Sequence, residues 1–389
     1  MLIEALQTHV WQPHDVSHHL DCDIGFDSDD FWAQLILTRE NCLDAVTTTL
    51  FKPDIKVLAS KSLTEQLKIN NLLGNMSAEK ADRLLANTFA GAGYYESGDI
   101  TPDQKEAEML RLYPLWPTNL IGNPRNEYTR KNGTSSYIYP HQLKAFRETK
   151  VLTASDLPTG SQFDQFIAWL EQQDKVVITS TAPVTNIAKA LREHPKLVKE
   201  KIQAIVMMNG HFTERMGYNG GLNLQDTDKV FKSGIPCFIV PSKLAAEHTL
   251  PLNRVAALRL QRNSMTPLGR AMLTHLENWE LWLDRQNPED VDHRTAEIKN
   301  CPIFADPLAA LVTVHPEMIK EVRRVEYNFH PDAKADNGGD LHVFHPEANK
   351  LFEVNDSETS NVFIIESFKD PEQVQDRLEG HIMKLYASP

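Results

Sequence analysis

Cysteine is scarce in this sequence, and its few cysteines are scattered. They are Cys22, Cys42, Cys237 and Cys301, with no CxxC pair among them. A chain of 389 residues can bury most of its apolar surface without disulfide bonds. We therefore expect these thiols to behave as small buried apolar side chains in a reducing compartment.

Long apolar runs and an excess of positive charge are also missing. No run approaches the roughly 20 apolar residues of a membrane span, and the N-terminal segment MLIEALQTHVWQPHD lacks the basic and apolar regions of a secretory signal. Lys and Arg number 40 against 53 Asp and Glu, a net charge of −13, which disfavours a nucleic-acid partner. We expect a cytoplasmic protein that binds neither nucleic acid nor membrane. Whether it forms a homo-oligomer is left open.

Short β-branched runs alternate with longer amphipathic stretches through most of the chain. This alternation is typical of α/β proteins with a Rossmann-like, mostly parallel sheet flanked by helices. The predicted strands are Leu43–Leu50, Val176–Thr179, Ala204–Met208 and Pro236–Val240. The predicted helices are Asp30–Arg39, Ser62–Leu73, Val184–Leu197, Asp226–Ser233 and Pro267–Arg285.

The end of the chain has a different pattern. Val322–Phe329, Leu341–Phe344 and Asn361–Phe368 predict strands with turn-rich links, and a charged helix, Glu372–Tyr386, follows them. We expect a β-rich C-terminal addition to one domain that spans residues 1–389.

Residues 91–160 form an irregular stretch rich in Pro, Gly, Tyr and Thr. Loops of this length are usually functional lids or disordered. We expect an insertion that covers the binding face, although a surface excursion without a role fits the residues equally well.

The densest polar feature is the segment HLDCDIGFDSDDFWAQLIL. It carries Asp21, Asp23, Asp27, Asp29 and Asp30, and the chain has no Lys or Arg before Arg39. Carboxylates crowded on one strand-to-helix turn repel one another, and several of them would be driven to protonate. A hard divalent cation relieves this repulsion, and Ca²⁺ or Mg²⁺ prefers such oxygen ligands.

Three other interpretations compete. Asp29 and Asp30 suit the first turn of a helix as capping residues, although this does not explain Asp21, Asp23 and Asp27. An EF-hand fails because the glycine follows Asp23 too early and no glutamate closes the loop. A phosphatase-type DxD nucleophile remains open from these residues alone.

The wider pattern resembles the inosine–uridine-preferring nucleoside hydrolases. The string DxDxGxDxDD before a hydrophobic helix is similar to the N-terminal signature of that family. TSTAPVTNIA (179–188) resembles its TGPLTNIA, IVMMNGH (205–211) its VVMGGA, and GGLN (220–223) its AEFN. CPIFADPL (301–308) resembles its P-x-x-HDPL. These segments occur in the family's order from about Leu20 to Ile382, and the family fold is the α/β sheet expected above.

The resemblance implies a Ca²⁺ site that holds a water molecule and the ribose hydroxyls. By this resemblance Asp23 is both a metal ligand and the catalytic base, and Asp30, Asp306 and the carbonyl of Thr181 complete the metal ligands. We expect Asp23, Asp30 and Asp306 to converge at the carboxyl ends of parallel strands. Asp306 alone would suggest only a helix N-cap.

The resemblance also implies contacts with a small nucleoside-like substrate. These substrate-binding residues are Asp29, Asn223, Met208 and Lys52. Asn223 alone would suggest an ordinary turn, Met208 any buried methionine, and Asn186 a residue that braces a turn.

The chain departs from the family at three positions. Ala305 replaces the histidine that protonates the leaving base, Gly221 replaces the glutamate of AEFN, and Lys52 replaces the asparagine of TTVAGN. We therefore expect a divergent nucleoside hydrolase. Its substrate is expected to carry a bulkier or charged substituent at the 5′ position of the ribose. A non-catalytic metal- and ligand-binding member is the first alternative, and an Asp-nucleophile phosphatase is the second.

Three histidines, His14, His18 and His19, precede the acidic segment. They could imitate a transition-metal site, but no cysteine and no ligand spacing supports one. We expect a solvated lead into the domain.

Overall fold

The structure is a computed structural model, and it describes most of the chain. The described residues are 11–24, 28–49, 53–92, 161–209, 219–220, 224–273, 276, 302–329 and 352–386. The predicted strand Leu341–Phe344 and almost all of the predicted 91–160 insertion lie outside them.

Nine strands form one sheet. They are β1 (Ser17–Cys22), β2 (Leu43–Thr48), β3 (Thr88–Ala90), β4 (Val176–Ser180), β5 (Ile202–Met208), β6 (Cys237–Val240), β7 (Ile319–Phe329), β8 (Phe352–Asp356) and β9 (Val362–Phe368). Their order is β3-β2-β1-β4-β5-β6-β9-β7-β8. Pairing is parallel from β3 to β9 and antiparallel for β9–β7 and β7–β8. The mostly parallel sheet and the C-terminal β-rich addition are therefore confirmed.

Helices connect the strands and cover the sheet. They are α1 (Asp29–Arg39), α2 (Pro53–Ile69), α3 (Ala78–Ala86), α4 (Phe163–Glu171), α5 (Thr185–Glu193), α6 (Pro195–Lys201), α7 (Leu224–Phe231), α8 (Ser242–Ala245), α9 (Leu252–Gln261), α10 (Ala305–Val314) and α11 (Pro371–Leu385). Residues 267–273 are also helical.

Two predicted helices differ from the observed ones by more than two residues. The helix predicted to begin at Ser62 begins at Pro53, where proline is tolerated at the first helical position, and it ends before Asn71, which has a left-handed φ of 55°. The helix predicted over Val184–Leu197 is two helices, α5 and α6. It breaks at His194 because Pro195 disfavours helical backbone at the residue before it.

The central parallel strands are buried along almost their whole length. Alternate residues of β5 enter two separate apolar cores: Ala204, Val206 and Met208 pack on one face, and Ile205 and Met207 pack on the other. A parallel sheet covered on both faces has this near-continuous apolar sequence. The antiparallel strand β7, which lies between β9 and the edge strand β8, instead mixes buried with exposed positions.

The helices α1 and α10 lie inside the larger core and pack against each other. Every residue from Asp30 to Thr38, and every residue from Asp306 to Val314, is buried. A helix that is apolar on all sides is a buried helix. The last turn of α10 is also fixed to the N-terminal segment, because Trp11 Nε1 donates a hydrogen bond to the carbonyl of Thr313 at 2.8 Å.

The C-terminal ends of α1 and α10 meet in a cluster of charged side chains. Glu40 ends α1, and its Oε1 lies 2.9 Å from Nε2 of His381 on α11. His315 ends α10, and its Nε2 accepts a hydrogen bond from Arg377 Nη1 at 2.7 Å. The second oxygen of Glu40 is 4.0 Å from His315 Nε2. These side chains link both helices to α11.

The described cysteines are reduced and buried, and the described helices include no membrane span. Cys22, Cys42 and Cys237 are free and buried, as expected for small apolar side chains, and Cys301 lies outside the described residues. Among the described helices, none is both long and apolar enough to cross a membrane.

The charged cluster predicts a pH-dependent contribution to stability. The hydrogen bond from His381 lowers the pKa of the Glu40 carboxyl below its ordinary value of 4.5. A carboxyl group with a lowered pKa stabilises the fold above pH 4.5, and this contribution is lost as the pH falls through the lowered pKa. We expect Glu40→Gln to reduce the free energy of unfolding by about 0.5–1 kcal/mol at pH 6.

Urea unfolding at several pH values measures this difference. Glu326→Gln is the control, because Glu326 is exposed on β7. The difference between Glu40→Gln and the unchanged protein should vanish below the lowered pKa. A difference that persists undiminished at pH 3 would contradict the ionic role of Glu40.

Candidate metal and active site

Three carboxylates converge at the N-terminal ends of α1 and α10. Asp29 and Asp30 begin α1, and Asp306 is the second residue of α10. One oxygen from each carboxylate lies within 4.8 Å of the other two. Asp30 and Asp306 are 1% and 6% exposed. Asp30 and Asp306, which are far apart in the sequence, therefore lie close together as predicted.

These aspartates are not the N-cap residues of their helices. The N-cap positions are Ser28 and Phe304, and neither makes a side-chain capping hydrogen bond. The positive ends of two helix dipoles favour negative charge at this point. However, three converging carboxylates still repel one another, and their oxygens are the donor set that a hard divalent cation prefers. The residues therefore fit the metal that the sequence predicts.

Thr181 follows β4 and contacts the same group of carboxylates. Its Oγ1 donates a hydrogen bond to Asp30 Oδ1 at 2.7 Å, and its backbone N–H donates to the carbonyl of Asp21 at 2.8 Å. The carbonyl of Thr181, which is the predicted metal ligand, accepts a hydrogen bond from Asn219 Nδ2 at 3.0 Å. Thr181 thus lies beside Asp30 at the carboxyl edge of the sheet.

Asn219 is a site residue that the sequence analysis missed. Its Nδ2 donates to the carbonyl of Thr181 and also to the carbonyl of Met208, each at 3.0 Å. It therefore bridges the ends of β4 and β5. Its only signal in the sequence is its position directly before the GGLN segment, and an asparagine in a turn-rich stretch is ordinary.

Asp23 lies at the same edge, directly after β1, and is 6% exposed. Its backbone carbonyl accepts a hydrogen bond from Nζ of Lys56, a buried side chain on α2. Burial raises the pKa of the Asp23 carboxyl, and the charge of Lys56 opposes that increase. Among the described residues, the converging group contains Asp29 and not Asp23. The roles of Asp23 as metal ligand and base stay predictions.

Asp21, on β1, is a fully buried carboxylic acid two residues before Asp23. Its Oδ1 accepts hydrogen bonds from Thr47 Oγ1 at 2.8 Å and from Asn186 Nδ2 at 2.6 Å. Burial raises the pKa of Asp21 to about 7. His19 Nε2 is 3.0 Å from the same Thr47 hydroxyl. His18 and His19 are buried within β1, so the predicted solvated lead was wrong for them. The sheet is covered on both faces at this strand, so consecutive residues of β1 are buried whichever face they occupy.

Asn186 is a bracing residue, as its position predicted. Its Oδ1 accepts a hydrogen bond from the backbone N–H of Ala92 at 2.6 Å. A Cβ atom on Gly91 would lie 2.4 Å from the Asn186 amide, so this close approach requires glycine. Asn186 thereby connects the side chain of Asp21 to the backbone just after β3.

The other predicted substrate contacts are only partly described. Lys52 and Asn223, together with Gly221, lie outside the described residues. Met208 is 8% exposed, and its side chain packs in the larger core. A role for Met208, Lys52 or Asn223 in substrate binding stays a prediction.

Residues 19–375 match the family model of the inosine-uridine preferring nucleoside hydrolases. The chain belongs to that family. The match covers every element of the acidic site and agrees with the resemblance found in the motifs. No curated protein matches this nucleoside hydrolase family member.

Solved structures share the fold at low sequence identity. A purine-preferring ribonucleoside hydrolase from Gardnerella vaginalis is 16% identical, with a TM-score of 0.60 over 94% of this chain and 98% of that one. An inosine-uridine preferring nucleoside hydrolase from Bacillus anthracis is 15% identical, with a TM-score of 0.55 over 95% and 98%. The type III effector protein XopQ, complexed with adenosine diphosphate ribose, is 15% identical, with a TM-score of 0.61 over 99% and 98%. These likenesses show the nucleoside hydrolase fold.

The buried Asp21 predicts how stability changes with pH. Burial raises its pKa from an ordinary value of 3.8 to about 7, so between these pH values the folded state keeps a proton that the unfolded state releases. The unchanged protein should therefore lose stability relative to Asp21→Asn as the pH rises from about 4 to about 7. The difference in the free energy of unfolding between the two proteins should change by up to about 4 kcal/mol over this range, since each pKa unit corresponds to about 1.4 kcal/mol.

Urea unfolding in the presence of a calcium chelator measures this difference. The asparagine keeps an acceptor oxygen for Thr47 and Asn186, and Asp15→Asn is the control on an exposed side chain. A difference between Asp21→Asn and the unchanged protein that does not vary with pH would contradict a neutral, buried Asp21.

Proposed function

We propose that the protein is a divergent nucleoside hydrolase that cleaves an N-ribosidic bond with water activated by Ca²⁺. The convergence of Asp30 and Asp306, from two buried helices far apart in the sequence, carries this proposal. It is supported by the family match and by the hydrogen bond between Thr181 and Asp30. The expected cytoplasmic location remains a prediction.

The carboxylates of Asp23, Asp30 and Asp306 and the carbonyl of Thr181 would hold the ion. Ligands that are all oxygen atoms favour Ca²⁺ over zinc. When bound, such an ion supplies positive charge that makes water more acidic and orients the sugar hydroxyls.

Asp23 is the proposed base that accepts the proton of the attacking water. Burial raises the pKa of the Asp23 carboxyl, which makes its carboxylate a stronger proton acceptor. Asp29 would accept a hydrogen bond from a ribose hydroxyl, and the negative charges at this edge would stabilise an oxocarbenium-like transition state. Met208, Asn223 and Lys52 are the remaining proposed substrate contacts.

The substrate is proposed to be a nucleoside-like molecule with a bulky or charged 5′ substituent. Gly221 offers more space than the family glutamate, and Lys52 offers a positive charge in place of an amide. The likeness of this fold to XopQ, whose structure holds adenosine diphosphate ribose, supports a ligand of that class.

A second candidate function is ligand binding without hydrolysis. Ala305 favours it, because this first residue of α10 lies next to Asp306 and cannot donate a proton to a leaving base. The third interpretation is a phosphatase with Asp21 or Asp23 as nucleophile. It is weakened for Asp21, which is fully buried and whose Oδ1 already accepts two hydrogen bonds.

Kinetic assays on two leaving groups test the proposed hydrolase. We expect weak hydrolysis of inosine and uridine, because general-acid catalysis typically contributes roughly 10²–10⁴-fold. Turnover should be better on p-nitrophenyl riboside, whose leaving group needs no proton. Ala305→His should raise the rate on inosine at least about tenfold and leave the rate on p-nitrophenyl riboside almost unchanged.

Asp23→Asn is the inactive control for both substrates. Rapid inosine cleavage by the unchanged protein would contradict the importance of Ala305, and activity in Asp23→Asn would contradict the assigned base. Binding of adenosine diphosphate ribose with no hydrolysis of either riboside would favour the non-catalytic alternative.

A further inference from the structure

Lys56 is a lysine in an unusual environment. It lies on α2, and only 1% of its surface is exposed. Lysine is almost never fully buried unless its charge is paired. Nζ of Lys56 donates a hydrogen bond to the carbonyl of Asp23, so the side chain points from α2 to the carboxyl end of β1.

The acidic segment has no positive charge of its own. The sequence from Met1 to Thr38 contains five aspartates between residues 21 and 30 and no Lys or Arg. Lys56 brings a positive charge to this group from the next helix, and its charge acts on the Asp23 carboxyl. A buried cation beside carboxylates stabilises them and repels a second cation.

We propose that Lys56 is an internal counter-cation of the acidic site, which balances Asp23 and weakens the binding of a divalent cation. This inference rests on the metal site of the proposed function, but it does not depend on the hydrolytic reaction. The positive charge of Lys56 holds the end of β1 beside α2 and sets the concentration of Ca²⁺ at which the site fills.

The two consequences have opposite signs. Without Lys56, the buried Asp23 loses its balancing charge, so the ion-free protein becomes less stable. A divalent cation is no longer repelled by the ammonium group, so it binds more tightly. A side chain that served only to fill space would weaken both properties when it is replaced.

Isothermal titration of the full chain with Ca²⁺, after removal of metal with a chelator, tests the proposal. Lys56→Gln keeps an N–H donor for the Asp23 carbonyl and removes the charge, and Lys56→Met removes both. We expect Lys56→Gln to bind Ca²⁺ on the order of tenfold more tightly than the unchanged protein. Lys68→Gln is the matched control, because Lys68 is on the same helix but pairs with Asp82 at the surface. Asp30→Ala should abolish Ca²⁺ binding both in the otherwise unchanged protein and in combination with Lys56→Gln.

Thermal unfolding in a chelator provides a second measurement that needs no metal. Lys56→Gln should lower the Tm by on the order of 5–10 °C, and Lys56→Met by at least as much. In an Asp23→Asn background, where the charge of Asp23 itself is absent, the same replacement should lower the Tm much less.

The outcomes separate this inference from the proposed function. Unchanged or weaker Ca²⁺ binding in Lys56→Gln, or an equal loss of Tm in the Asp23→Asn background, would overturn the role of Lys56. If the unchanged protein binds no Ca²⁺, the metal site of the proposed function is wrong, and the two backgrounds still decide whether Lys56 balances Asp23.

Discussion

Burial of negative charge is the constraint on which the architecture of this protein depends. The helices α1 and α10 are buried along almost their whole length in the larger core, yet each carries aspartate within its first two residues. Removing carboxylates from water is costly unless partners replace the lost hydration. In the part of the chain that the structure describes, the partners include two helix N-termini, the hydroxyl of Thr181 and, beside Asp23, the ammonium group of Lys56. A divalent cation would complete this set.

The rest of the fold keeps these partners in position. The parallel strands β1, β4 and β5 end at one edge, where Asp23, Thr181 and Asn219 are brought together. At the opposite ends of α1 and α10, Glu40 and His315 fix both helices near α11. The spacing of the acidic residues is therefore determined by contacts at both ends of the same pair of helices.

The sequence predicted the parts of the structure that have a short-range signal. The alternation of β-branched and amphipathic segments predicted the mostly parallel sheet. The shared acidic site of Asp30 and Asp306 has no such local signal, and it was predicted by the resemblance of the ordered motifs to the family. The sequence could not predict that Lys56 is buried, because a lysine on a helix is normally solvated. Nor could it predict the bridge made by Asn219, or that Ala92 is a partner of the predicted bracing residue Asn186, because each contact depends on long-range packing. The burial of His18 and His19 was missed for the same reason.

Anomalous X-ray diffraction from crystals grown with Ca²⁺ tests the central claim most directly, because it locates the ion independently of activity. We predict one strong anomalous peak at the carboxyl edge of the sheet, about 2.3–2.6 Å from carboxylate oxygens of both Asp30 and Asp306. A peak bound elsewhere, or an empty acidic site at millimolar Ca²⁺, would contradict the account.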